Sequence, residues 1–473
     1  MRLRGTVVLA AVALALGVYV WLVEIRGAES KQEAESAART ILAIAPASVT
    51  SLSLDTSDAG AAVLVRAGEN DWKLEAPVAY PADADAVDRV LRALEKLEST
   101  ATIAEKPADL APFGLASDGS AKSRKTVELR AGETPPQTLF LGGNTPVGGD
   151  RYVELASDPT RLYTVSAGSL SDLTPTLLEL RDKRLLRMPA SAADELTVRA
   201  GGELVVRATK ADSGWMLVEP ESAPADPEKI RRVLDDLALG RASAFEDAPK
   251  PLEKYGLAKP EIELTMRAKD AEERLALARA DGRTWLSRAG DPVILEVNER
   301  ALANVPRAFF DYRAKRVLTL DVAQVRTLEL AFPREGKTQR LKRDGETWTS
   351  EEAGVELQSQ KVEDLVYALS AVDATGLEAV SLERAQIGLD PALAIVRAFD
   401  EKGALLGEVR FGDPHPERGL PALSSQSPLV WRVTNDIGRD VPLSPEAFTN
   451  LLAKPAAPAT PAPEAPASSP PRE

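Results

Sequence analysis

The 473-residue chain has no cysteine and only one histidine. Without cysteine there is no disulfide, no thiol nucleophile, no thiolate-bound metal and no lipid-modified N-terminal cysteine. The redox compartment stays open, because the absence suits either side of a membrane. The histidine stands in Asp413-Pro414-His415-Pro416-Glu417, where flanking prolines indicate a solvent-exposed turn. A histidine-based zinc site recruits several nitrogen or sulfur ligands, so no metal is expected there. A serine triad needs a histidine base, and no serine lies in a Gly-x-Ser-x-Gly elbow. Gly142-Gly143-Asn144 and Gly148-Gly149-Asp150 lack the Gly-Lys-Ser/Thr ending of a phosphate-binding loop and read as a hairpin between two strands. No cofactor is expected. A basic surplus is also missing: 72 acidic against 58 basic residues leave a net charge of −14, spread along the chain, which argues against a nucleic-acid partner.

What is present is repetition. Trp72 recurs as Trp215 and Trp348, and a Gly-Leu corner recurs as Phe113-Gly114-Leu115, Tyr255-Gly256-Leu257 and Ile387-Gly388-Leu389. The spacing from tryptophan to glycine is 42, 41 and 40 residues in the three copies, the drift expected of a duplicated unit with trimmed loops. Eleven residues after each tryptophan stands a helix-capping candidate, Asp83, Asp226 or Ser359. Behind Asp83, Val87, Val90, Leu91, Leu94 and Leu97 mark one helical face. Ile230, Val233, Leu234 and Leu237 repeat it after Pro227, and Val362, Leu365, Val366 and Leu369 repeat it with a one-residue slip. The remaining apolar runs alternate with period two and are joined by short turns. The expected fold is α+β: three tandem units, 48–188, 189–320 and a divergent 321–453, each mostly antiparallel sheet with one principal amphipathic helix.

Thr6 to Val23 carries no charge over 18 residues and follows Arg2 and Arg4. Such a helix spans about 27 Å, close to the hydrocarbon thickness of a bilayer, with Tyr19 and Trp21 near its far end, where amphipathic rings favour the interface. Residues 1–27 therefore read as a cytoplasmic N-terminus and lipid-spanning anchor, with the bulk of the chain on the periplasmic side of the inner membrane. A cleaved signal peptide is the alternative, and Arg26 fits poorly at −3 of a cut after Ala28. Residues 28–47 read as a charged helical stalk. Residues 454–473, with seven prolines in twenty, read as a disordered tail.

Candidate interaction residues close the units: Arg181-Asp182-Lys183-Arg184 recurs as Arg313-Ala314-Lys315-Arg316. Arg181, Lys183, Arg184, Arg313, Lys315 and Arg316 would suit an acidic partner surface, or form a charged linker paired to nearby acids. The tryptophans either stack on sugars or anchor each sheet to its helix, and their fixed spacing favours anchoring. Asp83, Asp85 and Asp88 read as a cap and first-turn charges, and Asp235-Asp236 as a solvated face.

Trp72-Lys73-Leu74-Glu75-Ala76-Pro77, Tyr80-Pro81-Ala82-Asp83, Phe113-Gly114-Leu115, Leu141-Gly142-Gly143-Asn144 and Leu180-Arg181-Asp182-Lys183-Arg184 resemble the bacterial family called domain of unknown function 4340. Trp215 to Pro220, Pro224-Ala225-Asp226 and Tyr255-Gly256-Leu257 resemble it again, and the third copy lacks the Pro-Ala-Asp step. The resemblance covers residues 49 to 450 and brings no catalytic residues. Its members are often encoded beside an ATP-binding-cassette (ABC) exporter and a gliding-type auxiliary protein. It implies an envelope accessory subunit whose partner is an ABC transporter permease or such an auxiliary protein. The expectation is a single-pass, non-enzymatic scaffold of an envelope transport complex. The alternatives are a cell-wall or polysaccharide binding module and a two-carboxylate envelope hydrolase.

Overall fold

A computed structural model describes residues 39–103, 105–116, 124–158, 160–378 and 383–453. The expected anchor (Thr6 to Val23), most of the stalk and the tail 454–473 lie outside the described residues. No helix among the described residues is long and apolar enough to cross a membrane.

Three antiparallel sheets carry the fold. The first contains β1 (Val49–Asp55), β2 (Ala61–Arg66), β3 (Trp72–Ala76), β4 (Tyr80–Pro81), β5 (Ala101–Ile103), β6 (Lys125–Ala131), β7 (Gln137–Asn144), β8 (Asp150–Leu155) and β9 (Leu162–Ser166). Their order is β4-β3-β2-β1-β6-β7-β8-β9-β5. Leu52 and Leu54 of β1 face Leu64 and Ala62 of β2, all buried, so one residue of register slip would turn this set to solvent. Between β4 and β5, which occupy opposite edges, the chain forms helix α1 (Ala84–Glu95). Asp83 caps it, its Oδ1 accepting the Ala86 N–H at 2.9 Å, which contributes about 1 kcal/mol. Val87, Val90, Leu91 and Leu94 pack into the same core as Leu52, Leu64, Leu74 and Leu141. The alternating strands and the helical stripe thus bury against one another, as their periods require.

The second copy follows the same element order: β10 (Glu195–Ala200), β11 (Glu203–Ala211), β12 (Gly214–Glu219), β13 (Ala223–Pro224), helix α2 (Pro227–Leu239), β14 (Ala242–Glu246), β15 (Ile262–Ala268), β16 (Ala271–Ala280), β17 (Arg283–Arg288) and β18 (Ile294–Val297). The third contains β19 (Thr327–Phe332), β20 (Lys337–Asp344), β21 (Thr347–Ser350), helix α3 (Ser359–Ala371), β22 (Gly376–Leu377), β23 (Ala394–Phe399), β24 (Leu405–Phe411), β25 (Leu420–Ser424) and β26 (Val430–Val433). Its sheet order is β21-β20-β19-β23-β24-β25-β26-β22. Val362, Leu365, Val366 and Leu369 of α3 are buried as the stripe predicts.

The compact units do not coincide with the copies. One comprises the chain through Leu204 together with Arg231–Val305, and the other Val205–Ile230 with the chain from Pro306.

One local expectation needs correction. Gln358 holds the N-cap position of helix α3 without a side-chain capping hydrogen bond, and Ser359 is the first helical residue. One residue fewer separates the helix from Trp348, so Ser359 Oγ instead accepts the Trp348 N–H at 2.8 Å. Of the expected stalk only 39–47 is described: it opens on Arg39, which is helical, Thr40 bridges Glu98, Ile41 and Leu42 are buried in the first core, and Pro46–Ser48 forms a 3-10 turn.

Candidate functional site

The basic clusters sit where one copy passes into the next, and the backbone explains why. Asp83 donates its N–H to the Leu180 carbonyl (2.9 Å) and Asp182 donates to Pro81 (3.0 Å), with Arg181 bridged to Ala82. The following residues turn to the second copy: Ala242 donates to Lys183 (2.8 Å), Leu185 donates to Gly240 (3.4 Å), and Arg184 bridges Arg241. The same clamp recurs in the other compact unit. Asp226 donates to Tyr312 (2.8 Å) and Ala314 to Pro224 (2.9 Å), after which Ala374 donates to Lys315 (2.8 Å) and Val317 to Val372 (3.0 Å). Each joint therefore pairs its first half with the copy it closes and its second half with the copy it opens. Arg39 to Ile41 make the second-half contacts with Leu97 to Ser99, and Leu451 to Ala453 make the first-half contacts with Glu356 to Gln358.

The six expected interaction cations are ion-paired at these joints. Arg181 is 3% exposed; its guanidinium forks onto Asp247 (2.6 and 2.9 Å) and lies over the Phe245 ring (4.9 Å), which Tyr80 meets edge-on (5.3 Å). Arg313 is buried likewise, paired to Glu221 (3.0 Å) and set over Trp431 (5.5 Å). Lys183 reaches Asp83 (3.6 Å), Arg184 reaches Asp182 (2.8 Å), Lys315 reaches Asp311 (3.9 Å) and Arg316 reaches Asp373 (3.0 Å).

Sequence reasoning missed the buried network beside the first joint. Arg288, 5% exposed, donates to Glu273 (3.0 Å), Asp291 (2.7 Å) and the carbonyls of Arg184 and Leu185 (2.7 and 2.8 Å). Glu273 also accepts the Arg187 and Met188 N–H groups (3.0 and 2.9 Å). Arg187 forks onto Asp291 (2.9 and 3.0 Å) and touches Asp182 (3.3 Å). Three arginines thus face three carboxylates, and such an assembly is stable only when its hydrogen bonds are complete. Burial pushes the Asp182 carboxyl up, but the hydrogen bonds and charges of Arg184 and Arg187 outweigh it and hold it below the usual range. Burial raises the Tyr80 hydroxyl. Arg187, Glu273, Arg288 and Asp291 carry no sequence signal, because the network assembles from segments far apart in the chain.

An open cavity of about 650 Å³ adjoins Arg187, Glu273, Arg288 and Asp291. Another of about 620 Å³ lies by Trp72, Asp83, Asp182 and Lys183, and one of about 690 Å³ by Arg66, Trp72, Asp88 and Arg92. The charged groups named at the first are spent on one another. Among the described residues no group of three His, Asp or Glu side chains converges to hold a metal. His415 sits in a turn, its Nδ1 accepting the N–H groups of Glu417 and Arg418 (3.2 and 3.3 Å). Asp88 pairs with Arg92 (2.8 Å) and Asp235 with Arg231 (2.8 Å). Asp226 Oδ1 accepts the first-turn N–H groups of Glu228 and Lys229 (3.0 and 3.1 Å).

The remaining markers are structural. Trp72 and Trp348 are buried and Trp215 half-buried; Trp348 Nε1 donates to Glu363 (3.0 Å). Gly114, Gly256 and Gly388 adopt φ of 68°, 72° and 69°, which only glycine tolerates without strain. The first corner packs so closely on β7 that a Cβ on Gly142 would overlap the Phe113 carbonyl oxygen.

No curated protein matches the chain. The family described as Domain of unknown function (DUF4340) matches residues 72–216 and again 215–391. The first match opens at Trp72 and the second at Trp215, so the family unit recurs in phase with the repeated tryptophans. With well over half of the residues covered in this way, the chain belongs to the DUF4340 family.

Proposed function

We propose that the protein is a non-enzymatic scaffold, anchored in the inner membrane through Thr6 to Val23, that serves a bacterial envelope transport complex from the periplasmic side. The observation that carries this reading is the two-sided joint. The backbone of each joint pairs with the copy before it and the copy after it, and Arg181 and Arg316 add ion pairs to the following copy, which suits a part whose task is to hold spacing. The uncharged run preceded by arginines supports the anchor, and the family resemblance supports an ABC transporter permease or gliding-type auxiliary protein as partner. A wall-binding module needs exposed aromatic platforms, and none of the described tryptophans is exposed. A hydrolase needs two free carboxylates across a cleft, whereas the acids named at the first joint are ion-paired.

The test is affinity purification of the full chain from membranes in mild detergent after cross-linking, followed by mass spectrometry. Enrichment of a transporter permease is expected. Recovery of wall polymer binding, or of no membrane transport component, would overturn the assignment.

A further inference from the structure

The first and third copies use the same arginine and tryptophan differently. Arg343 of β20 stands opposite Trp348 of β21, and Arg66 of β2 stands opposite Trp72 of β3; each guanidinium lies over its indole, at 5.9 and 4.6 Å. In the third copy both donors converge on one carboxylate of α3. Trp348 Nε1 donates to Glu363 Oε2 (3.0 Å) and Arg343 Nη2 to Glu363 Oε1 (3.1 Å). Glu363 is the fifth residue of α3, and the fifth residue of α1 is Asp88. Its side chain is a methylene shorter and is paired with Arg92 instead (2.8 Å). Arg66 gives three of its five N–H groups to the carbonyls of Val49, Glu69 and Pro46 (2.7, 2.6 and 2.9 Å). Among the described residues no carboxylate takes the other two, and none accepts from Trp72 Nε1. Trp72 is 5% exposed, and with Arg66 it lines the open cavity of about 690 Å³ along α1. The seat that the third copy fills from its own helix is thus left open in the first.

We propose that this seat binds a carboxylate side chain of a partner protein, a glutamate flanked by basic residues. The glutamate follows from the third copy, where that side chain occupies the equivalent place between indole N–H and guanidinium. The flanking cations follow from the rim. Glu69, Asp85 and Glu95 also line the cavity, and all three are exposed and without an ion pair among the described residues. A carboxylate arriving alone would meet their repulsion, whereas a lysine or arginine on either side of it turns the same charges into attraction. One inward acid between outward bases therefore matches both the floor and the rim of the cavity. The proposal is independent of the transport reading, since it concerns what this cavity can hold and not which complex supplies it.

The test is the indole N–H resonance of Trp72 in the isotope-labelled, detergent-solubilised full chain, identified by its loss in Trp72→Phe. The probe is the peptide acetyl-Gly-Lys-Glu-Lys-Gly-amide, whose one carboxylate is the glutamate side chain. It is expected to shift that resonance, and the same peptide with glutamine in place of glutamate to bind about tenfold more weakly. Asp88→Glu supplies the missing methylene and closes the seat from within. Its Trp72 resonance is expected where the peptide-bound parent has it, and the peptide no longer moves it. The other tryptophan resonances, unchanged, show that this variant is folded. Equal binding of the two peptides gives the cavity to cations held by the rim acids and overturns the carboxylate seat. Undiminished binding to Asp88→Glu, or no shift at Trp72 up to millimolar peptide, overturns the proposal as well.

Discussion

Arg288→Met is the most demanding perturbation of the first joint. The substitution keeps an apolar side chain of similar length but removes the donor that serves Glu273, Asp291 and the carbonyls of Arg184 and Leu185. Asp291 retains Arg187, and Glu273 retains two backbone N–H groups, so neither carboxylate is wholly abandoned; the two carbonyls lose that donor. Breaking a buried pair from one side costs about 3–5 kcal/mol, and the surviving bonds place the expectation at the lower end. For a body of this size about 3 kcal/mol lowers the midpoint of thermal unfolding by roughly 6–12 °C. Urea unfolding followed by tryptophan fluorescence measures it in the full chain. Adding Glu273→Met to Arg288→Met should recover part of the loss, because the unpaired carboxylate goes with its partner. A cost below about 1 kcal/mol for Arg288→Met, or strictly additive losses in the double variant, would refute the claim that this network holds the joint.

Asp182 gives the joint a pH dependence. Its folded carboxyl lies below the usual range, so the group contributes stability above its unfolded pKa of about 3.9, and that contribution is lost as pH falls through the lower folded value. Urea midpoints of the parent should therefore drop as pH is lowered below about 4, with a shallower drop in Asp182→Asn. At the Gly-Leu corner, Gly142→Ala drives a methyl into the Phe113 carbonyl, whereas a Cβ on Gly143 meets that oxygen at an ordinary 3.5 Å. The first substitution should cost about 1–3 kcal/mol and the second much less, measured by the same unfolding curves.

Much of this fold was legible because burial imposes a period. The leucines of β1 and the stripe of α1 point to one core, so alternation in one and a 3.6-residue repeat in the other are unavoidable. Trp72 and Trp348 were legible as core residues through their constant distance to cap and corner. The burial of Arg181 and Arg313 was not, since their partners Asp247 and Glu221 lie 66 and 92 residues away and nothing in a run of charges announces a distant carboxylate. Arg288 and Glu273 were hidden for the same reason. Tyr80-Pro81 is too short for a period to register, and proline argues locally against a strand. Ser359 misled because the deletion before α3 left a good capping residue at the expected distance from Trp348, one position inside the helix.

The shared joints also constrain how such a chain can grow or shrink by recombination. A crossover inside a sheet separates strands that must pair, and one at a copy boundary drawn from the tryptophans severs an edge strand from its helix. Crossovers between Asp182 and Lys183, or between Ala314 and Lys315, leave a closing half on one product and an opening half on the other. Gene fusions at those two points are the ones from which arrays of a different copy number can inherit intact seams.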